Sequence, residues 1–285
     1  MFAGFSIKSV IVVVIIGMIS AVIIAAQGNN NFINGLIFYN KQPSAKALSQ
    51  LSSSSSFNLI QAIAIPNVNG RIDHMAIDIR GQKLFVAELE NNSLDIVDLK
   101  AGKRIHSMNN NNNVGLLNEP QSVLFIPELN RIFVSNGQDG TVDAFDAKTF
   151  SLFKKIKLPS DDADNMRYDP GSKLLYVGYG EGSLVIVNAT NYNIVGNIPL
   201  NGHPESFQIE SEKQASGLKQ RIFVNVPHSN SIEVVDSQKR TVSKMWTITN
   251  AQNNFPMALD EANHRLFVGT RDPLKLMVSD TNATY

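Results

Sequence analysis

The sequence LFVAELENNSLDIVDL, residues Leu84–Leu99, has a pattern that recurs four more times along the chain. The later copies are IFVSNGQDGTVDAFDA from Ile132, LYVGYGEGSLVIVNA from Leu175, IFVNVPHSNSIEVVDS from Ile222 and LFVGTRDPLKLMVSDT from Leu266. Their aromatic anchors stand 43 to 48 residues apart: Phe85, Phe133, Tyr176, Phe223 and Phe267. A period in this range predicts the blades of a β-propeller.

Each repeat has the alternating apolar and polar residues of four short strands. In the first repeat the apolar runs lie at residues 75–79, 84–86, 94–99 and 105–108, and turn residues separate them. Strands joined by tight turns form an antiparallel meander, and one such sheet must stack on a neighbour to cover both faces. We therefore expect an all-β propeller of four-stranded antiparallel blades. The blades are predicted near residues 71–108, 118–158, 160–200, 202–249 and 254–285.

The anchor tetrapeptides carry a family resemblance. They read FVAE, FVSN, YVGY, FVNV and FVGT, and each is followed by a turn and an alternating strand that usually ends in Asp. This pattern resembles the YVTN family of β-propeller repeat proteins over residues 57–285. The resemblance implies an exported, seven-bladed disc that serves mainly as a binding platform.

The number of repeats departs from that family pattern. Five repeats are visible, and the last one ends just after its third strand. We expect a truncated seven-blade propeller. In the alternative, residues 57–66 form a leading strand that completes the fifth blade and closes a five-blade ring.

The N-terminus has a different composition from the repeats. No charged residue occurs from Val10 to Ala26, and Lys8 precedes this run. Residues 1–27 are therefore predicted to be a hydrophobic helix that acts as a signal peptide or a membrane anchor. The Asn- and Ser-rich residues 28–56 are predicted to be a flexible linker. Either outcome places the propeller, residues 57–285, outside the cytoplasm.

Composition excludes several classes of protein. The chain has 25 basic and 25 acidic residues, so it lacks the basic excess typical of nucleic-acid binding. It contains 0 cysteines, which excludes disulfides, thiol nucleophiles and cysteine–zinc sites. Three sequons are candidates for N-glycosylation in an exported chain: Asn91, Asn188 and Asn282.

A short polar residue ends the third strand of every repeat. These residues are Asp98, Asp146, Asn188, Asp236 and Asp280. Side chains of this kind accept hydrogen bonds from backbone N–H groups of a following turn. We expect them to be turn caps and not catalytic groups.

Residues that enter the first strand of each blade are the candidate site, because these positions converge near the propeller axis. The candidate ligand-binding face comprises Asp73, His74, Gln121, Asp164, Asn165, His203 and Glu205. Asp73, Asp164 and Glu205 supply oxygen ligands suited to Ca²⁺ or another divalent cation. The alternative is that these groups only cap strand ends and hold channel water.

The expected function is recognition by a rigid scaffold. The partner would be a protein, a glycan or a small-molecule ligand, and an uncleaved N-terminal segment would also engage the membrane. The enzyme alternative is a lactonase-type hydrolase, in which a metal ion or a general base activates water on the channel face. The sequence contains no G-x-S-x-G nucleophile motif.

Overall fold

A computed structural model of the 285-residue chain describes residues 12–15, 21–24, 61–109, 117–214 and 217–282. Strands β1 (Val12–Ile15) and β2 (Ala21–Ile24) pair antiparallel. Most of the predicted N-terminal helix, and all of the predicted linker, falls outside the described residues and stays a prediction. Within those residues, no helix combines the length and hydropathy needed to cross a bilayer.

The remaining strands form five consecutive antiparallel sheets, so the chain is an all-β, five-bladed propeller. Blade 1 contains β3 (Met75–Asp78), β4 (Lys83–Glu88), β5 (Ser93–Asp98) and β6 (Lys103–Asn109). Blade 2 contains β7 (Pro120–Ile126), β8 (Arg131–Asn136), β9 (Thr141–Asp146) and β10 (Leu152–Lys157). Blade 3 contains β11 (Met166–Asp169), β12 (Leu174–Tyr179), β13 (Ser183–Asn188) and β14 (Ile194–Pro199).

Blades 4 and 5 follow with longer inner strands. Blade 4 contains β15 (Phe207–Gln214), β16 (Gly217–Val226), β17 (Ser231–Asp236) and β18 (Thr241–Thr247). Blade 5 contains β19 (Gln252–Asp260), β20 (Arg265–Asp272) and β21 (Leu274–Asp280). Three short 3₁₀ turns link first to second strands or second to third strands: Pro127–Leu129, Pro227–Ser229 and Glu261–Asn263.

The hydrophobic core lies in layers between successive blades. Between blades 1 and 2, for example, Phe85 and Leu94 pack with Val123 and Ile132. Comparable layers separate blades 2 and 3, blades 3 and 4, and blades 4 and 5. The middle strands are covered on both faces, which explains why their apolar residues run consecutively in the sequence.

The expectation that residues 57–66 form a leading strand is wrong for the described part, residues 61–66. They have no strand assignment, and Ile63 and Ile65 pack with Leu84 and Val86 on the outer face of blade 1. The described part of this segment therefore covers the first blade instead of completing the fifth. On blade 5, alternate side chains of β21 are exposed: Leu274, Leu276 and Val278.

The polar residues that end the third strands are turn caps, as the sequence predicts. Asp98 Oδ1 accepts a hydrogen bond from Ala101 N at 2.7 Å, and Asn188 Oδ1 accepts one from Thr190 N at 2.9 Å. Equivalent bonds are made by the other three residues of the set: Asp146, Asp236 and Asp280. These side chains lie at the end of the strands opposite to the blade entries.

Candidate functional site

The residues that enter the first strands occupy equivalent positions in three blades. The N–H groups of Asp73, Asp164 and Glu205 each donate to a second-strand carbonyl, at 2.9 to 3.0 Å. The acceptors are the residues two positions after each aromatic anchor: Ala87, Gly178 and Asn225. The β-ladder therefore extends past the first strand and fixes these backbones. We call the surface formed by residues 71–74, 119–122, 161–165 and 202–206 the entry surface.

Contacts between neighbouring blades hold the entry surface together. Ser135 Oγ donates to the carbonyl of Asp164 at 2.6 Å, and His74 N donates to the carbonyl of Gln121 at 3.2 Å. At Gly178, an added Cβ would lie 2.9 Å from Pro204 Cγ, which is closer than side chains approach one another. Small residues at these second-strand positions therefore allow the connectors to pack closely.

Five ionisable side chains meet on this surface in two overlapping groups. The first group is Asp73, His74 and Asp164, and the second is Asp164, His203 and Glu205; in each group the possible ligand atoms lie within 4.8 Å of one another. Asp164 belongs to both groups. The three carboxylates predicted as metal ligands are thus divided, with Asp73 in one group and Glu205 in the other.

Asp73 is already paired. Arg71 Nη2 lies 2.7 Å from Asp73 Oδ2, and His74 Nδ1 lies 3.1 Å from Asp73 Oδ1. Burial would raise the pKa of Asp73, but His74 and Arg71 outweigh it and lower that pKa. Burial would lower the pKa of His74, but Asp73 and then Asp164 raise it.

Asp164 is the most buried member of the cluster. Its residue exposure is 5%, and its buried Oδ1 atom has no hydrogen-bond partner. The guanidinium of Arg167 donates to the carbonyl of Met166 at 2.7 Å. Burial lowers the pKa of Arg167 to about 10, although the charge of Asp164 acts in the opposite direction. Arg167 therefore contributes charge near Asp164 while it donates a hydrogen bond to Met166.

His203 has a fixed orientation. Its Nδ1 lies 2.6 Å from the carbonyl oxygen of Gly180, and its Nε2 lies 3.8 Å from Asp164 Oδ2. Burial would lower the pKa of His203, but Asp164, the Gly180 carbonyl and Asp162 raise it to about 9. His203 therefore holds a proton more readily than a free imidazole does.

Glu205 completes the second group from the same connector as His203. Burial and the negative charge of Asp164 raise its pKa to about 7, although His203 and Arg271 act in the opposite direction. A carboxyl group that titrates near neutrality can accept or release a proton under ordinary conditions. The cluster is thus able to bind a cation or to exchange protons with a ligand.

The other predicted site residues lie at the edge of this cluster. Gln121 Nε2 donates to Asp162 Oδ1 at 2.8 Å, and Asn165 is 1% exposed with an unpartnered Oδ1. In blade 5 the equivalent residue is Phe255, which lies within an irregularity in the β19–β20 pairing and has the Arg271 guanidinium 3.7 Å from its ring centroid. Blades 1, 3 and 4 therefore supply the acidic groups.

In two of the predicted glycosylation sequons, the asparagine side chain already makes hydrogen bonds within the protein. Asn91 Nδ2 donates to Ser93 Oγ at 2.7 Å, and Ser93 is buried. Asn188 Oδ1 accepts from the hydroxyl of Thr190 at 2.6 Å. Asn282 is described, but the other two residues of its sequon lie beyond the described range. Modification at these positions stays a prediction.

A set of buried carboxylates was not predicted from the sequence. Asp95, Asp143 and Glu233 stand three residues before the turn caps of β5, β9 and β17, and all are 0% exposed. Asp95 pairs with Arg104 at 2.7 Å, and Asp143 pairs with Lys155 at 2.8 Å. The recurrence of an acid in LDIV, VDAF and IEVV is the signal that could have revealed them.

A cleft between blades 3 and 4 opens at the other end of the strands and contains none of the predicted site residues. Its polar side chains already have partners. Asp169 accepts from Gly171 N and Ser172 N, and Arg240 donates to the carbonyl of Val195 at 2.8 Å. The entry surface, with an unsatisfied carboxylate, is the better candidate site.

Comparisons with known proteins identify the fold only. Neither protein-family models nor curated protein sequences gave a match. Among solved structures, Kuenenia stuttgartiensis hydrazine synthase aligns with a TM-score of 0.60 and 16% identity, over 72% of this chain and 58% of that chain. The dihydro-heme d1 dehydrogenase NirN in complex with DHE aligns with a TM-score of 0.58 and 16% identity, over 72% and 44%.

The third similar structure is the β-propeller domain of Myceliophteria thermophila Cps50 (Swd1), with a TM-score of 0.56 and 13% identity, over 73% of this chain and 65% of that chain. The aligned part thus spans 44% to 65% of these three chains. Proteins with this fold carry unrelated functions. These similarities show that the chain is a β-propeller.

Proposed function

We propose that this propeller is an extracytoplasmic binding module that recognises a protein, glycan or small-molecule ligand on its entry surface. The observation that carries the proposal is the convergence of Asp73, Asp164 and Glu205, with two histidines, from three different blades. Their connectors are hydrogen-bonded to rigid sheets, so the polar groups are positioned before a ligand arrives. Pre-positioned groups reduce the entropic cost of binding.

The free polar atoms indicate what the ligand must offer. Asp164 Oδ1 is buried without a donor and Asp73 is paired with Arg71, whereas Glu205 is only half-buried, so its carboxylate is the more accessible acid on this surface. A ligand with hydroxyl, ammonium or metal-ion character satisfies an unpartnered carboxylate oxygen. Sugars and amine-containing ligands therefore fit this surface better than aliphatic ones.

The test is equilibrium binding of defined glycans, amine-containing peptides and hydroxylated small molecules to the purified full-length chain. We expect Asp164→Asn to weaken binding at least about tenfold, because a charge-assisted hydrogen bond contributes about 1.5–3 kcal/mol. Glu181→Gln, an exposed substitution in the β12–β13 turn, serves as the control. A folded protein that binds none of these probes, or whose binding ignores Asp164, contradicts the proposal.

A metal-assisted hydrolase of the lactonase type is a second candidate. The specific observation in its favour is that Asp164, His203 and Glu205 offer three protein ligands, and catalytic metal sites commonly combine three protein ligands with a water. Turnover of a lactone panel that requires added metal and is lost in Glu205→Gln supports this candidate. Turnover that survives chelation of the metal contradicts it.

We also propose two finer features of the architecture. The tetrapeptides FVAE to FVGT support membership of the YVTN family, and the exposed Leu274, Leu276 and Val278 support a seven-blade ring in which further blades cover β21. An experimental structure in which β21 packs directly on blade 1 contradicts the seven-blade proposal. Detection of the propeller only in the cytoplasmic fraction of its cell contradicts export and membrane attachment.

A further inference from the structure

We propose that Asp164, His203 and Glu205 form a binding site for one borderline divalent metal ion of the Zn²⁺ class. The inference deepens the proposed function and rests on it, because the ion would form part of the surface that meets the ligand. The three possible ligand atoms lie within 4.8 Å of one another and come from two connectors. Both connectors are fixed by the ladder bonds of Asp164 N and Glu205 N.

The unsatisfied oxygen of Asp164 points to a missing partner. The side chain of Asp164 is 7% exposed, and its Oδ1 has no hydrogen-bond partner although it is buried. Buried carboxylate oxygens are normally paired, hydrogen-bonded or bound to metal. Here Arg167, which acts on Asp164 through its charge, directs a hydrogen bond to the Met166 carbonyl. A metal ion that bound both oxygens of Asp164 would supply the missing interaction, since Oδ2 is the oxygen that faces His203.

The orientation of His203 matches that of a metal-binding histidine. Such histidines usually donate one ring N–H to a carbonyl or carboxylate, which leaves the other nitrogen for the metal. His203 Nδ1 contacts the Gly180 carbonyl at 2.6 Å, and Nε2 faces Asp164 Oδ2 at 3.8 Å. The distance of 3.8 Å exceeds that of a hydrogen bond and leaves space between the two ligand atoms.

The other group of ligand atoms is less suitable. Asp73 is bonded to Arg71 at 2.7 Å and to His74 at 3.1 Å, so a metal ion would compete with a guanidinium already in place. His74 Nδ1 also contacts the carbonyl of Gln121 at 3.0 Å. The Asp164–His203–Glu205 group has no such arginine ion pair among the described residues.

The imidazole ligand decides the type of ion. Ca²⁺ and Mg²⁺ prefer complete sets of oxygen ligands, whereas imidazole with carboxylates suits Zn²⁺ and its first-row neighbours. The carboxylates alone predicted Ca²⁺ or another divalent cation. Because the structure adds His203 to two carboxylates, we assign the site to Zn²⁺ in preference to Ca²⁺.

The experiment is calorimetric titration of Zn²⁺ and Ca²⁺ into the untagged full-length chain after removal of metal with a chelator. We expect one Zn²⁺ per chain and weaker binding of Ca²⁺. Loss of an outer-shell partner weakens metal binding about 10–100-fold, so loss of a ligand in Asp164→Asn or His203→Ala should weaken it at least about 100-fold. Glu181→Gln, which lies outside both ionisable groups, is the control and should retain Zn²⁺.

A measurement on the unsubstituted protein guards against variants that fail to fold. With Co²⁺ in place of Zn²⁺, ring protons of a bound histidine give paramagnetically shifted NMR signals, and we expect signals from one histidine. Absence of these signals, absence of Zn²⁺ binding, tighter binding of Ca²⁺, or Zn²⁺ binding that a folded Asp164→Asn variant retains would each overturn the site.

The outcomes also separate this inference from the proposed function. Ligand binding by metal-free protein, with no Zn²⁺ bound, would overturn the metal site and leave the binding function in place. One bound Zn²⁺ in a protein that binds none of the ligand panel would support the metal site and contradict the binding function.

Discussion

The Ser135 hydroxyl on β8 of blade 2 donates to the carbonyl of Asp164 at 2.6 Å, at the entrance of blade 3. Ser135 Oγ also accepts a hydrogen bond from Ser122 N at 3.0 Å. One buried hydroxyl therefore links two blades and fixes the backbone of the residue shared by both ionisable groups. The position of Asp164 thus depends on a neighbouring blade.

Ser135→Ala tests this link. We expect the free energy of unfolding to fall by about 1–3 kcal/mol, because the buried Ser122 N–H loses its acceptor. Urea unfolding measures the change. Ser243→Ala is the matched control, since the exposed Ser243 hydroxyl donates to the Val234 carbonyl and its loss should change stability by no more than about 0.5 kcal/mol. Equal losses of unfolding free energy in the two variants would show that the hydrogen bonds of Ser135 stabilise the fold no more than that of Ser243.

Gly178→Ala tests the close approach of the connector between blades 3 and 4. The new methyl group would lie 2.9 Å from Pro204 Cγ and push on the segment that carries His203 and Glu205. Overpacking of this kind costs about 1–3 kcal/mol. We expect a corresponding decrease in thermal stability and weaker ligand binding. Gly171→Ala, in an exposed turn, is the control; a Gly178→Ala variant as stable as this control would contradict the packing described here.

Asp98→Ala tests whether the repeated turn caps are structural. Removal of the acceptor for Ala101 N should lower the free energy of unfolding by about 1 kcal/mol. Ligand binding by the folded protein should not change, because Asp98 lies at the strand end opposite to the entry surface. A folded Asp98→Ala variant that loses ligand binding would contradict a purely structural role.

The buried carboxyl of Glu88 predicts a pH dependence of stability. Burial, followed by the charge of Asp95, raises the pKa of Glu88 from 4.5 to about 8. The folded state therefore holds a proton that the unfolded state releases between these values. The free energy of unfolding should decrease as pH rises from about 4.5 to about 8, by up to about 1.4 kcal/mol per pH unit from this group.

Glu88→Gln should flatten that decrease, because the amide does not titrate. Chemical unfolding across this pH range provides the measurement, and the exposed Glu90→Gln is the control. If Glu88→Gln and the wild-type chain lose stability with the same slope, Glu88 does not hold a proton in the folded state.

The repeat alignment predicted the propeller fold and the convergence of the blade-entry residues from the sequence. Asp73, Asp164 and Glu205 could be aligned because each lies in the same ladder position relative to its aromatic anchor, opposite Ala87, Gly178 or Asn225. The alignment could not predict which acids already have partners, since the Arg71–Asp73 pair depends on side-chain geometry. Bulges in β7 and β19 likewise move Gln121 and Phe255 in ways that counting residues does not reveal.

The repeat pattern also did not predict which segment covers the outer face of blade 1. The leading residues Ile63 and Ile65 have the apolar alternation of a strand, yet they pack as an irregular segment on blade 1. An alternating pattern specifies that one face is buried but not which sheet buries it. The paired acids Asp95 and Asp143 were missed for a similar reason, because their partners Arg104 and Lys155 lie on the adjacent fourth strands.

The most direct test of the Asp164–His203–Glu205 metal site is anomalous X-ray diffraction at the zinc edge from crystals grown with Zn²⁺. We predict one anomalous peak bonded to Asp164, His203 Nε2 and Glu205 at about 2.0–2.2 Å. Absence of a peak at this position, or a peak bonded only to Asp73 and His74, would overturn the Asp164–His203–Glu205 metal site.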